Sequence, residues 1–214
     1  MTRLSLLAVL VAVSLLGFSS VHAADTGQGN AARGKTLIYT CAGCHGIPGY
    51  ENAYPNYRVP KIAGQNKQYI LDALHGYRSG TRKHPTMDAQ ASSLSEQDMQ
   101  DIATYLSSLA TKPAKLGPKV GLKKATTCFA CHGKDGQAVA ANYPRLAGQY
   151  QNYMEQALHE YQSGQRNNAI MKGFASQLSD QDIKEITAYF HSLPSELSTL
   201  KYHIQGANEM GASN

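Results

Sequence analysis

Two five-residue stretches carry the chemistry this chain can do: Cys41-Ala42-Gly43-Cys44-His45 and Cys128-Phe129-Ala130-Cys131-His132. They hold all four cysteines of the 214 residues. Two thiols three positions apart can add across the two vinyl groups of one haem, and a histidine directly after them then lies under the iron. Cys-x-x-Cys also serves as a thioredoxin-like redox pair, and two such pairs can hold a structural zinc. The redox pair wants a βαβ pattern nearby, and none is visible. Zinc held by four cysteines would leave both adjacent histidines unexplained. The expected chemistry is covalent attachment of two haem c groups through Cys41, Cys44, Cys128 and Cys131, with His45 and His132 binding the irons.

Past these motifs the sequence repeats itself. The motifs lie 87 residues apart, and the register then settles at 84, with 23 identities in the 50 positions from 60 to 109. Pro60-Lys61-Ile62-Ala63-Gly64-Gln65 faces Pro144-Arg145-Leu146-Ala147-Gly148-Gln149. The slip of three lies in the loop after each motif, which has 14 residues in the first half and 11 in the second. The chain is therefore a duplicated domain.

The repeat also selects a second axial ligand. Met99 aligns with Ile183 and Met154 with Ile70, which reads as core, and Met210 sits in a polar tail without a counterpart. Met87 and Met171 match each other, in segments read as non-helical loops. Gap-filling is the ordinary role of a methionine, but the pairing favours iron ligation, which raises the reduction potential. His84 aligns with Asn168 and reads as a solvated loop residue, while the matched pair His75 and His159 reads as structural.

The elements that must position these groups are helices. Ala31 to Tyr39 leads into the first motif. A second helix should run from near Asn66 to a Gly80 terminator. A third starts at Ser95, where Asp98 completes a capping box, and carries Met99, Ile102, Leu106 and Leu109 at helical spacing. Ser179, Asp182, Ile183, Ile186, Phe190 and Leu193 repeat that design. No stretch alternates convincingly, so the fold class is all-α, twice over. The boundary falls in the Pro-, Gly- and Lys-containing stretch Thr111 to Pro118. Each unit is small enough that an apolar cofactor would supply much of its interior.

Residues 1–23 read as a secretory signal peptide: Arg3, an apolar run from Leu4 to Phe18, and small residues before a cleavage site after Ala23. That run is shorter than the ~20 apolar residues a membrane span needs. The expected layout is a signal peptide over 1–23, domains over 24–112 and 113–200, and a polar tail over 201–214. The mature chain would have 19 basic and 15 acidic side chains, a formal +4. Four haem propionates would bring it near neutrality, which with export removes the case for nucleic acid.

The paired motifs, the repeated Pro-[Lys/Arg]-[Ile/Leu]-Ala-Gly-Gln segment, the downstream methionine and the Leu-Ser-x-Gln-Asp helix together resemble the dihaem cytochrome c4 family, over roughly residues 28 to 195. The resemblance implies tandem class I cytochrome c domains whose haem propionate edges face each other across a pseudo-twofold interface. It implies that the Pro60 and Pro144 carbonyls accept hydrogen bonds from the proximal histidines. It further implies a periplasmic electron carrier, a monomer or homodimer at the membrane periphery, between a cytochrome bc-type or other donor and a terminal oxidase. A dihaem subunit of a flavocytochrome-type dehydrogenase is the alternative. A small peroxidase or reductase with a dissociating distal ligand is a rival from the enzymes.

The first post-motif loop departs from the pattern. Gly46-Ile47-Pro48-Gly49-Tyr50 replaces the turn kept at residues 133–136, and Tyr50, Tyr54 and Tyr57 are added as packing, haem-shielding or docking residues. Arg82 and Arg166, with Lys61 and Arg145, read as propionate partners or solvated charges. Lys112, Lys115, Lys119, Lys123 and Lys124 form a basic stretch, a solvated face or a docking site for an acidic partner.

Overall fold

The computed structural model describes residues 28–112 and 122–201; the signal-peptide reading, the core of the linker and nearly all of the polar tail lie outside them. In the first half, α1 (Ala31–Leu37) and α2 (Tyr39–His45) meet at Ile38, followed by α3 (Lys67–Ser79), α4 (Pro85–Ser92) and α5 (Glu96–Ser108). In the second, a 3-10 turn (Lys123–Ala125) precedes α6 (Phe129–His132), α7 (Gln151–Ser163), α8 (Ala169–Ala175) and α9 (Asp180–His191). The described residues form no sheet.

The caps expected from sequence are present. Gly80 and Gly164 end α3 and α7 in the left-handed conformation, which a residue without a Cβ adopts at little cost. Ser95 with Asp98 and Ser179 with Asp182 form capping boxes at the starts of α5 and α9.

Packing follows the apolar stripes. Helix α5 buries Met99, Ile102 and Leu106 against Ile70, Leu71 and Leu74 of α3. Helix α9 buries Ile186 and Phe190 against Met154 of α7. Helix α1 crosses α5 so closely that a Cβ on Gly34 would lie 2.1 Å from the Asp101 carbonyl oxygen. Asp101, fully buried, pins the crossing by accepting from Asn30 N (2.6 Å), Arg33 Nη1 (2.5 Å) and Gln97 Nε2 (2.7 Å). In the second half the 3-10 turn packs on α9.

The two units are not separate beads. Beyond α9 the chain returns to the first half: Ser198 N donates to Ala63 O (2.9 Å) and Leu200 N to His45 O (3.0 Å). Leu200 is fully buried in the first unit's core.

Candidate functional site

Helix α2 carries Cys41, Cys44 and His45, whose i, i+3, i+4 spacing places all three on one face. In the second half Cys128 is the N-cap of α6, which holds Cys131 and His132. The four thiols are free rather than paired as disulfides. Burial pushes the Cys41 and Cys128 thiols above their ordinary value, the opposite of the lowered pKa of redox dithiols. Among the described residues no three His, Cys, Asp or Glu side chains converge on a point that could hold a metal ion.

Each histidine is aimed by a prolyl carbonyl. His45 Nδ1 donates to Pro60 O at 2.8 Å and His132 Nδ1 to Pro144 O at 3.1 Å. Donation through Nδ1 fixes the tautomer with its lone pair on Nε2, and a second partner of this kind orients a ligating imidazole and raises its basicity toward iron. Among the described residues neither Nε2 has a hydrogen-bond partner. Burial is the largest influence on both rings and lowers their pKa, so each stays neutral, the state that ligates. At His45 the Pro60 bond opposes this, while His84 and Arg82 add to it.

Cys41 and Met87 pack against the same buried cluster of Ile38, Leu71, Leu74 and Ala91, a mainly apolar wall suited to a flat apolar macrocycle. Free thiols, a fixed Nε2 and a thioether beside an apolar wall are the donor set a covalent haem requires.

The structure corrects the placement of the methionines. Met87 and Met171 stand on short helices, α4 and α8, not in loops. Both occupy the third position after a cap: His84 Nδ1 accepts from Met87 N (3.3 Å) and Asn168 Oδ1 from Met171 N (3.0 Å). His84 is thus an N-cap rather than a solvated loop residue, and its alignment with Asn168 is functional equivalence in capping. Helices of 8 and 7 residues are too short for periodicity to show, although Pro85 at the first position and Asn168 before α8 were legible start signals. Met171 is half-buried and lies on a helix packed against α7. His75 Nε2 meets Glu96 (2.9 Å) and His159 Nδ1 meets Gln162 (3.0 Å), which are structural roles.

The repeated Pro-[Lys/Arg]-[Ile/Leu]-Ala-Gly-Gln segments pack against each other as a reciprocal clamp. Gln65 Nε2 donates to Arg145 O (3.1 Å) and its Oε1 accepts from Arg145 N (2.8 Å). Gln149 does the same to Lys61, with bonds of 2.9 and 3.0 Å. Arg145 Nη1 reaches Gly64 O (2.5 Å) and Lys61 Nζ reaches Gly148 O (2.6 Å). A third exchange joins Lys83 N to Gln165 O (3.2 Å) and Asn167 N to Thr81 O (2.7 Å), with Arg82 facing Arg166 between them. Each of these eight bonds has its mate 84 positions away, as an isologous contact demands, whereas the bonds from Asn66 Nδ2 to Tyr143 O (2.7 Å) and from Gly49 N to the Tyr150 hydroxyl (3.1 Å) cross without one.

Arg82 and Arg166 are therefore buried between the domains, 8% and 7% exposed, rather than solvated. Arg166 pairs through Nε (3.1 Å) and Nη2 (2.7 Å) with Glu160, a residue to which sequence reasoning gave no role. Arg82 lies over the Tyr77 ring, 4.6 Å from its centroid, and donates to Tyr69 and Tyr153 hydroxyls. The added tyrosines divide: Tyr57 is buried against Tyr153, whereas Tyr54 is 94% exposed. Of the basic stretch, Lys124 pairs with Asp182 and Glu185.

The Cytochrome c family model matches residues 31–110 and again 120–194. Cytochrome c4 of Pseudomonas aeruginosa is 33% identical over 205 residues, covering 88% of this chain and 98% of that protein. The crystal structure of reduced recombinant cytochrome c4 from Pseudomonas stutzeri superposes with a TM-score of 0.63 at 30% identity, covering 77% of this chain and 99% of that one. A protein of Stutzerimonas stutzeri named thiosulfate dehydrogenase electron acceptor is 30% identical over 191 residues, covering 76% of this chain and 87% of its own. With two helical units, each built around a Cys-x-x-Cys-His motif, the chain belongs to the cytochrome c family in its dihaem cytochrome c4 branch, and it is an electron carrier with two covalently bound haem c groups.

Proposed function

We propose that this dihaem carrier works in the periplasm, after removal of residues 1–23, and moves single electrons from a cytochrome bc-type or other periplasmic donor to a membrane terminal oxidase. Bound haem c supplies a one-electron iron couple. His45, His132, Met87 and Met171 would ligate the irons, and Cys41, Cys44, Cys128 and Cys131 would anchor the haems covalently. With a histidine and a methionine both ligating, each iron would keep no open position for a substrate, so the site would carry charge without breaking bonds. The observation that carries this reading is the pair of Nδ1 bonds to the Pro60 and Pro144 carbonyls, which fixes both imidazoles in ligating orientation. The same domains would dock, as monomer or homodimer, at the membrane periphery.

A second reading makes the chain the dihaem electron acceptor of a dehydrogenase. The relative named thiosulfate dehydrogenase electron acceptor favours it. Native purification of the holoprotein separates the two. A freely migrating carrier that is oxidised by terminal-oxidase membranes supports the first; stoichiometric co-purification with a dehydrogenase, with no transfer to those membranes, supports the second.

A further inference from the structure

The carbonyls that end the two Cys-x-x-Cys-His motifs find their partners in different ways. In the second domain the chain turns back at once: Ala138 N donates to His132 O (2.9 Å) and Val139 N to Cys131 O (3.0 Å). That turn holds Ala138 at a φ of 69°, which a residue with a Cβ rarely adopts. The first domain's loop is three residues longer and leaves as a narrow hairpin, with Asn52 N bonded to Tyr57 O (2.9 Å) and Val59 N to Tyr50 O (2.8 Å). The His45 carbonyl accepts instead from Leu200 N (3.0 Å), in the strap of residues 194–201 that follows the second domain's last helix.

This strap lies tight on the first domain. Its Ser198 N donates to Ala63 O (2.9 Å). A Cβ on Gly64 would lie 2.2 Å from the Glu196 carbonyl oxygen, and one on Gly46, next to His45, 3.0 Å from the Leu200 carbonyl oxygen. The Leu200 side chain belongs to the buried cluster with Ile38, Leu74 and Ala91, against which Cys41 and Met87 both pack. One residue contributed by the second domain thus holds the backbone of the first motif's histidine and part of the wall on which Met87 rests. The last carbonyls of a helix have no partner within it, so an outside donor there fixes how α2 ends and how its imidazole is aimed.

We propose that the strap is a latch on the first haem site. Seated, it holds His45 and Met87 in place; lifted, it lets that site admit an outside ligand, while the second site, closed by its own loop, stays shut. Leu200 is the positioning residue and acts through the His45 carbonyl and the buried cluster. The inference deepens the carrier reading and rests on methionine ligation of both irons.

The test is carbon monoxide uptake by the reduced holoprotein, with hydrogen exchange resolved along the chain. Carbon monoxide enters only where a protein ligand has left the iron, so wild type should take it up slowly at both haems. Leu200→Ala should speed uptake at one haem by about tenfold or more and leave the other unchanged. The amides of Gly46 and Ile47 should then lose protection before those of α3 and α5. Combined with Met171→Ala, which opens the second haem, Leu200→Ala should abolish the remaining slow phase; a slow phase that persists overturns the proposal. Gly34→Ala weakens the same domain at the α1–α5 crossing and serves as the control. Equal uptake by Gly34→Ala and Leu200→Ala at matched unfolding stability would reduce Leu200 to packing and overturn the latch, as would acceleration at both haems or at neither. Should Leu200→Ala load haem poorly, Ser198→Pro, which removes the N–H bonded to Ala63 and leaves the core side chains in place, is expected to act the same way. Fast uptake by wild type would instead fail the ligand assignment, so the two failures read differently.

Discussion

Truncation of Gln149 to alanine removes one of the two reciprocal glutamines of the interdomain clamp. The side chain is 3% exposed and makes two hydrogen bonds across the interface, to the carbonyl and amide of Lys61, and accepts a third from Tyr150 N within its own domain. Each such bond contributes about 1 kcal/mol net, and partly buried backbone groups left without partners add a penalty of similar size. We therefore expect a loss of about 3 kcal/mol. Gln65, 5% exposed, makes the mirrored bonds to Arg145 and accepts from Asn66 N. Gln65→Ala should therefore be destabilising by the same amount to within about 1 kcal/mol. The double variant should lose less than the sum, because an interface opened by one truncation has less to lose from the other. Guanidinium unfolding of the holoprotein, followed by haem absorbance and far-ultraviolet circular dichroism, measures all three. A loss below about 0.5 kcal/mol for either glutamine, or strictly additive losses, would refute the reciprocal clamp.

Other consequences follow from single residues. Gly34→Ala drives a Cβ into the Asp101 carbonyl at 2.1 Å and should be destabilising by about 3 kcal/mol, seen as a lower unfolding midpoint in the first domain. Leu200→Ala should weaken that same domain by roughly 2–5 kcal/mol although the residue follows α9, and domain-resolved hydrogen exchange checks which unit loosens. Hydrogen bonds from Lys124 and Ser179 hold the Asp182 carboxyl at about 2, below an ordinary aspartate. Its folded pKa being depressed, the stabilisation it gives is present above the ordinary value near 3.9 and fades as pH falls toward 2. Melting temperatures from pH 5 to 2 should fall less steeply in Asp182→Asn than in wild type; equal slopes would contradict the assignment.

Much of this was legible because the chain states its design twice. The repeat paired Met87 with Met171, which the structure places at the same position of two capped helices, and the capping boxes at Ser95 and Ser179 set the starts of α5 and α9. What escaped was short or nonlocal. Helices α4 and α8 have one or two turns, too few for an apolar stripe to show, and their stability comes from caps and from packing on α3 and α7. The Ala-Gly-Gln repeat was visible as an identity, but nothing along the chain said that the two copies would face each other. Glu160 has no matching residue in the first half, so reading by repetition passed over it, and burial of Arg82 and Arg166 appeared only when the duplicated surfaces met. Return of Leu200 to the first domain is likewise a tertiary event that no local pattern encodes.

The central claim is that two closed His/Met iron sites stand on one chain. It is tested most directly by redox titration of wild type beside Met87→Ala and Met171→Ala, monitored at the near-infrared Met–iron charge-transfer band. Each substitution should abolish half of the band and lower one of the two potentials. If either variant leaves both haems as they are in wild type, that methionine is not a ligand and the account of a fully closed carrier is wrong.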